Sequence, residues 1–187
     1  FIRRLNSKLH ERHPSAMMIA EDSTDFTKVT HPVEYGGLGF DYKWDLGWMN
    51  DTLKYYSLDP VYKKYEHNKL TFSMAYFYSE NFLLPLSHDE VVHGKGTIIN
   101  KMWGDYDTKF ALLRNLYAYQ FAHPGKKLNF MGNELASFDE WNEQKSLPWE
   151  LLSFPKHDSI RRYVRDLNLI YRAHPAMEVE EHNPERF

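Results

Sequence analysis

Phe82-Leu83-Leu84-Pro85-Leu86-Ser87-His88-Asp89-Glu90 changes character at a single bond, from an uninterrupted apolar run to four polar residues. A short apolar run of this kind reads as a strand buried on both faces, as in a parallel sheet. Working outward, the same design recurs. Ser15-Ala16-Met17-Met18-Ile19-Ala20 follows Pro14, gives a strand over Met17–Ala20 and ends in Glu21-Asp22. Phe40 to Leu46 alternates aromatic with polar residues after the loop Gly36-Gly37-Leu38-Gly39, and Lys127 to Gly132 runs into Asn133-Glu134. Between these runs lie helical patterns. Met49 to Tyr56 suits a short helix, and Asp59-Pro60 has the cap and first-turn proline that start one through about Tyr65. Asp107 to His123 is the clearest helix, with Phe110, Leu113, Leu116, Tyr117 and Phe121 at helical spacing and Pro124-Gly125 as its stop. Ile160, Tyr163, Val164, Leu167, Ile170, Tyr171 and His174 mark a last one, ended by Pro175.

Strand followed by helix, four times, predicts an α/β fold with a parallel sheet and helical crossovers. Each strand run ends in carboxylates or a His–Asp pair, and in a (β/α)8 barrel the carboxyl ends of the strands carry the catalytic groups. A whole barrel takes about 250 residues, so 187 residues with four such units predict a partial barrel. The first residue is not Met and a helical-looking charged stretch starts at once, so the expectation is a segment from within a longer protein.

Composition narrows the function classes. With 23 basic and 26 acidic side chains the net charge is −3, which offers no basic face for nucleic acid. With no cysteine, disulfide scaffolds, thiol catalysis and cysteine-ligated metals are excluded; the absence says little about compartment but agrees with the expected cytoplasmic location. No run of 18 apolar residues exists to span a membrane, and the start is no signal peptide. Abundant Tyr and Trp suit a surface that stacks on flat, hydroxyl-rich ligands.

Weak motifs are set aside on spacing. Gly94-Lys95-Gly96-Thr97 lacks the earlier glycine of a phosphate loop, since Asp89 stands there, and Gly96 follows the lysine instead of Ser or Thr. His88 and His93, with Asp89 beside them, could suggest a metal site. The i, i+5 spacing of the histidines fits no helical face, however, and sequence places no third ligand, so no metal and no cofactor are expected. Glu21 has two readings: a general acid raised in pKa by an apolar wall, or a cap for a following helix. His88-Asp89 likewise reads as a reacting pair or as a structural hydrogen bond. Two carboxylates at neighbouring strand ends suggest glycoside chemistry.

Ile19-Ala20-Glu21-Asp22-Ser23-Thr24 and Leu84-Pro85-Leu86-Ser87-His88-Asp89-Glu90-Val91-Val92-His93-Gly94-Lys95-Gly96 resemble two signature regions of the glucan-branching enzymes, members of the α-amylase superfamily (glycoside hydrolase family 13). Gly36-Gly37-Leu38-Gly39-Phe40, Lys43-Trp44, Gly47-Trp48-Met49, Asp51-Thr52-Leu53, His123-Pro124-Gly125-Lys126-Lys127-Leu128, Phe130-Met131-Gly132 and Glu140-Trp141-Asn142 extend the resemblance from about Ala16 to Ala176. It implies barrel strands 5 to 8, with Glu21 matching the family's general acid/base, Asp89 its charge-stabilising aspartate and His88 its sugar-binding histidine. Trp44, Trp48 and Trp141 are expected to include at least one glucan platform.

The family's carboxylate nucleophile has no match before Met17, so it is expected outside this chain, as are the amino-terminal module, the first barrel half and the carboxyl-terminal β-sandwich. Leu135-Ala136-Ser137 and Pro148 depart from the family pattern and bear on acceptor-side detail. The implied activity is cleavage of an α-1,4-glucan and transfer of the segment to a C6 hydroxyl. The alternatives are an amylase-type hydrolase, or a glucan-binding fragment without activity. The implied partner is an α-glucan, and open sheet edges make self-association an expectation.

Overall fold

In a computed structural model of the protein, residues 1–179, 181, 183 and 185 are described. Four strands, β1 (Ile19–Ala20), β2 (Tyr42–Trp44), β3 (Phe82–Leu86) and β4 (Lys126–Asn129), form one parallel sheet in chain order, β1-β2-β3-β4. The helices are α1 (Ile2–Arg12), α2 (Leu46–Ser57), α3 (Pro60–Lys63), α4 (Asn68–Thr71), α5 (Tyr106–Ala122), α6 (Pro155–Ala173) and α7 (Pro175–Glu178). Parallel strands in sequence order, with helices crossing between β2, β3 and β4, make a partial (β/α)8 barrel.

One crossover departs from the expectation. Between β1 and β2 there is no α-helix, only a loop with a 3₁₀ turn at Val33–Tyr35. The polar stretch Glu21 to Lys28 has no apolar stripe to bury, so Glu21 caps nothing. Asp22 instead closes its own turn, accepting from the Thr24 amide at 3.2 Å and the Thr24 hydroxyl at 3.1 Å. The loop is tied down by the buried Glu80 carboxylate, which accepts from the Val29 amide at 2.8 Å, the Thr30 amide at 2.7 Å and the Thr30 hydroxyl at 2.5 Å.

β2 is also shorter than the Phe40–Leu46 pattern suggested: Asp45, whose amide still donates to the Leu83 carbonyl at 2.9 Å, is already the cap of α2. Its Oδ1 accepts from the Trp48 amide at 2.8 Å and from the Tyr76 hydroxyl at 2.9 Å. Burial raises the Asp45 carboxyl above the usual carboxylate range, against the pull of those donors. The carboxylate ending β2 is therefore a helix cap inside the fold. Likewise β4 stops at Asn129, before Gly132 turns with φ +90° into a 3₁₀ turn at Asn133–Leu135.

Strand register divides the sheet into two faces. Ala20 pairs with Lys43, Lys43 with Phe82, and Leu84 and Leu86 with Lys127 and Asn129. Leu84 and Leu86 pack into the core with Trp48, Met49, Leu53 and Tyr56 of α2 and Phe110, Leu113, Leu116 and Tyr117 of α5. All five β3 residues are buried, as the continuous apolar run required. Inside the core the Gln120 amide donates to the carbonyls of Leu84 and Leu128 at 3.0 and 3.2 Å, and the Tyr117 hydroxyl donates to the Asn133 carbonyl at 2.9 Å.

His123, after α5, is buried against Trp48, Tyr119 and Phe77. Its Nδ1 donates to the Pro124 carbonyl at 2.7 Å, which leaves Nε2 to accept from the Ser73 hydroxyl at 2.9 Å. Burial pushes its pKa down from 6.5 to about 4. Below pH 6.5 the unfolded imidazole gains a proton that the folded one refuses. His123 thus contributes stability above pH 6.5 that is lost, by about 3 kcal/mol in all, as pH falls toward 4. Thermal unfolding of His123→Gln should be less stable at pH 8 but lose that part of the acid dependence; an unchanged pH slope would reject the assignment.

Candidate active site

Because the strands are parallel, Glu21, His88 and Asp89 emerge at the same, carboxyl end of the sheet. Side chains alternate along a strand, so one step beyond the Ala20–Lys43 pair Glu21 stands level with Trp44, on the face turned away from Leu84 and Leu86. Trp44 is half-buried and Glu21 exposed. The apolar wall expected around Glu21 is not present, since β1 pairs only with β2 among the described residues. Asp22 points the other way and meets Lys43 Nζ at 2.9 Å.

His88 and Asp89 sit on a turn that the sequence builds locally. The Ser87 amide and hydroxyl both donate to Glu90 Oε2 at 2.6 Å, and the Asp89 amide donates to Ser87 Oγ at 3.2 Å. Ser87 and Glu90 are buried while His88 and Asp89 are exposed, so the turn presents the latter two outward. Asp89 Oδ2 lies 2.7 Å from Lys95 Nζ. That contact holds its carboxyl below the usual range, with smaller help from His88 and His93. No hydrogen bond joins His88 to Asp89, so the structural-pair reading has no support here.

The tryptophans divide. Trp48 is 1% exposed and stacked on Tyr119 at 6.0 Å, a core side chain with no face left for a ligand. That corrects its expected place in a glucan track: its position in the first turn of α2 turns it against β3 and α5. Trp141 is half-buried, packs edge-on to Phe130 at 5.2 Å, and lines a cavity of about 320 Å³ with Val91, Ile98, Asn133 and Glu140. Phe130 in turn lies 5.9 Å from the His88 ring. Trp44 lines a second, larger cavity of about 600 Å³, with Asp22, Phe72 and Tyr76. Glu21, His88 and Asp89 line neither.

Three polar residues of this end were missed in the sequence: Glu90, Lys95 and Glu140. The Ser87-x-x-Glu90 spacing, a reciprocal-capping pattern, signals the first. Nothing local signals Glu140, whose Oε2 and Oε1 accept from the Gly94 and Gly96 amides at 3.0 and 2.6 Å across more than forty residues. The site can therefore offer an exposed carboxyl group, a carboxylate held ionised by an ammonium, an imidazole and a half-buried indole at one end of a sheet.

No family model matches the chain. Among curated proteins it is 54% identical over all 187 residues to the 1,4-alpha-glucan branching enzyme GlgB of Aquifex aeolicus, covering 30% of that enzyme. It is 54% identical to the one of Thiobacillus denitrificans, covering all of this chain and 25% of that enzyme. With the one of Halothermothrix orenii it shares 56% over 172 residues, 92% of this chain and 27% of that enzyme. The chain thus spans about a quarter to a third of the length of these relatives. Among solved structures, the cyclic alpha-maltosyl-(1→6)-maltose hydrolase of Arthrobacter globiformis matches 94% of this chain and 38% of its own, with a TM-score of 0.66 at 16% identity. A debranching enzyme of Nostoc punctiforme matches the same shares with a TM-score of 0.64 at 14% identity. At such low identity these two speak for the fold alone. In sequence, the whole chain corresponds to a segment of the 1,4-alpha-glucan branching enzymes.

Proposed function

We propose that this chain supplies the carboxyl-terminal part of a catalytic barrel that cleaves an α-1,4-glucan and transfers the segment to a C6 hydroxyl. The observation that carries the reading is the likeness to branching enzymes over the entire chain, at 54% identity. In this reading Glu21 is the general acid/base, protonating the departing sugar oxygen and later taking a proton from the acceptor hydroxyl. Asp89, ionised beside Lys95, stabilises the oxocarbenium-like transition state. His88 donates to sugar hydroxyls, and Trp44 and Trp141 are the candidate sugar platforms. The nucleophile, about 5–5.5 Å from the acid in a retaining pair, is supplied by residues outside this chain. So are the first barrel half, an amino-terminal module and a carboxyl-terminal β-sandwich.

The substrate is an α-glucan, no cofactor takes part, and the location is cytoplasmic. Among the described residues no helix is long and apolar enough to cross a membrane. Strands from beyond the chain, or from a second copy, cover the outer edges of β1 and β4.

The test is a chimera in which this chain replaces the matched segment of the Aquifex aeolicus enzyme. The chimera should lower the iodine colour of amylose without releasing reducing ends, while the 187-residue chain alone should do neither. Colour loss with matching reducing ends would favour the hydrolase. A folded chimera without either activity would reject the proposal.

A further inference from the structure

The loop that follows Asp89 is held in shape largely from outside itself. His93, Gly94 and Gly96 have φ of +58°, +78° and +75°, and a non-glycine residue persists there only when its surroundings impose it. The constraint comes from the segment after β4. The Glu140 carboxylate spans the Gly94 and Gly96 amides, one on each side of Lys95. The Trp141 amide donates to the Val91 carbonyl at 3.0 Å, and the Asn100 side chain donates to the Phe138 carbonyl at 2.8 Å. Lys101 Nζ closes the loop from beneath, donating to the carbonyls of Glu90 and of Lys95, the latter at 2.8 Å. Within this frame the Lys95 side chain reaches back to Asp89 at 2.7 Å.

We propose that Glu140 is a positioning residue for Asp89 that acts through Lys95. By gripping both flanking amides it fixes the backbone of Lys95, and so the place of the ammonium group against Asp89. The consequence for catalysis rests on Asp89 being the charge-stabilising carboxylate; the coupling itself does not. The charged or titratable neighbours are few. Lys95, His88 and His93 act on Asp89, while Lys101 and His93 act on Glu140 together with the two amides.

Opposite signs make the coupling testable. Removing the negative charge of Glu140 by itself favours ionised Asp89 and lowers its titration midpoint. Releasing Lys95 removes the ammonium and raises it. The experiment is a ¹³C-carboxyl NMR titration of Asp89 in the full 187-residue chain. Lys95→Met sets the scale of the rise. Glu140→Gln, which retains one acceptor but cannot grip two amides, should raise the midpoint toward the Lys95→Met value. The double variant should rise no further than Lys95→Met. Should Glu140→Gln fail to fold, Glu140→Asp, charged but one methylene too short to span both amides, carries the same expectation. A midpoint that stays or falls in the Glu140 variant, or a rise that persists on top of Lys95→Met, would overturn the proposal. A merely structural Glu140 would lower the unfolding temperature and leave the midpoint in place. No glucan enters this measurement, so its failure is separate from failure of the branching assay.

Discussion

Glu21→Gln in the chimera is expected to cut branch formation by about 10²–10⁴-fold, the usual worth of a positioned proton donor and acceptor. The amide keeps the size and hydrogen-bonding reach of the carboxyl group but carries no transferable proton. Turnover should therefore fall while amylose binding, read by affinity electrophoresis, changes little. Glu21 leaves β1 beside Trp44 and at the same end as Asp89, and its exposure means the substitution disturbs no core. A companion measurement makes the proton explicit. A substrate whose leaving group needs no protonation should regain most of its cleavage rate in Glu21→Gln. Near-normal branching by the variant, or no such recovery, would remove Glu21 from the role.

Trp48→Ala should have the largest effect on stability and little on sugar affinity. The indole is 1% exposed and lies in the core with Met49, Leu53, Leu84 and Leu116, stacked on Tyr119. Emptying such a site costs about 3–5 kcal/mol, which for a domain of this size lowers the unfolding temperature by about 10 °C. Trp44→Ala, on the open face beside Glu21, should show the reverse balance: a small stability loss and weaker glucan binding. Equal melting temperatures for the two variants in thermal unfolding would contradict the division drawn between them.

Much of the candidate site was legible because it depends on short-range order. Glu21 and Asp89 were found through the change from apolar to polar at the ends of β1 and β3, and a parallel sheet must bring such ends together. The same rule misled at Asp45, which also ends a strand. There the Trp48 amide and the Tyr76 hydroxyl claimed the carboxylate for the fold. It misled again between β1 and β2, where a regular alternation of strand and helix was assumed across a polar, glycine-broken stretch. The tryptophans failed for a different reason. Lys43-Trp44 and Gly47-Trp48 look alike as dipeptides, yet one indole stands on the open face of β2 and the other turns inward from α2.

By itself the sequence determined the parallel sheet, the helix α5, the end of the sheet at which the chemistry-bearing residues stand, and the likeness to branching enzymes. These follow from patterns that repeat within a few residues or from runs of identical residues, and neither needs a partner from far along the chain. Only the tertiary structure decided which tryptophan is core, that Glu21 is exposed, and that Lys95 rather than His88 makes the direct side-chain contact with the Asp89 carboxylate. It alone joined Glu140 to Gly94 and Gly96, 46 and 44 residues away. Burial and long-range hydrogen bonds depend on what the fold brings across from another element, and no local pattern encodes the identity of that visitor.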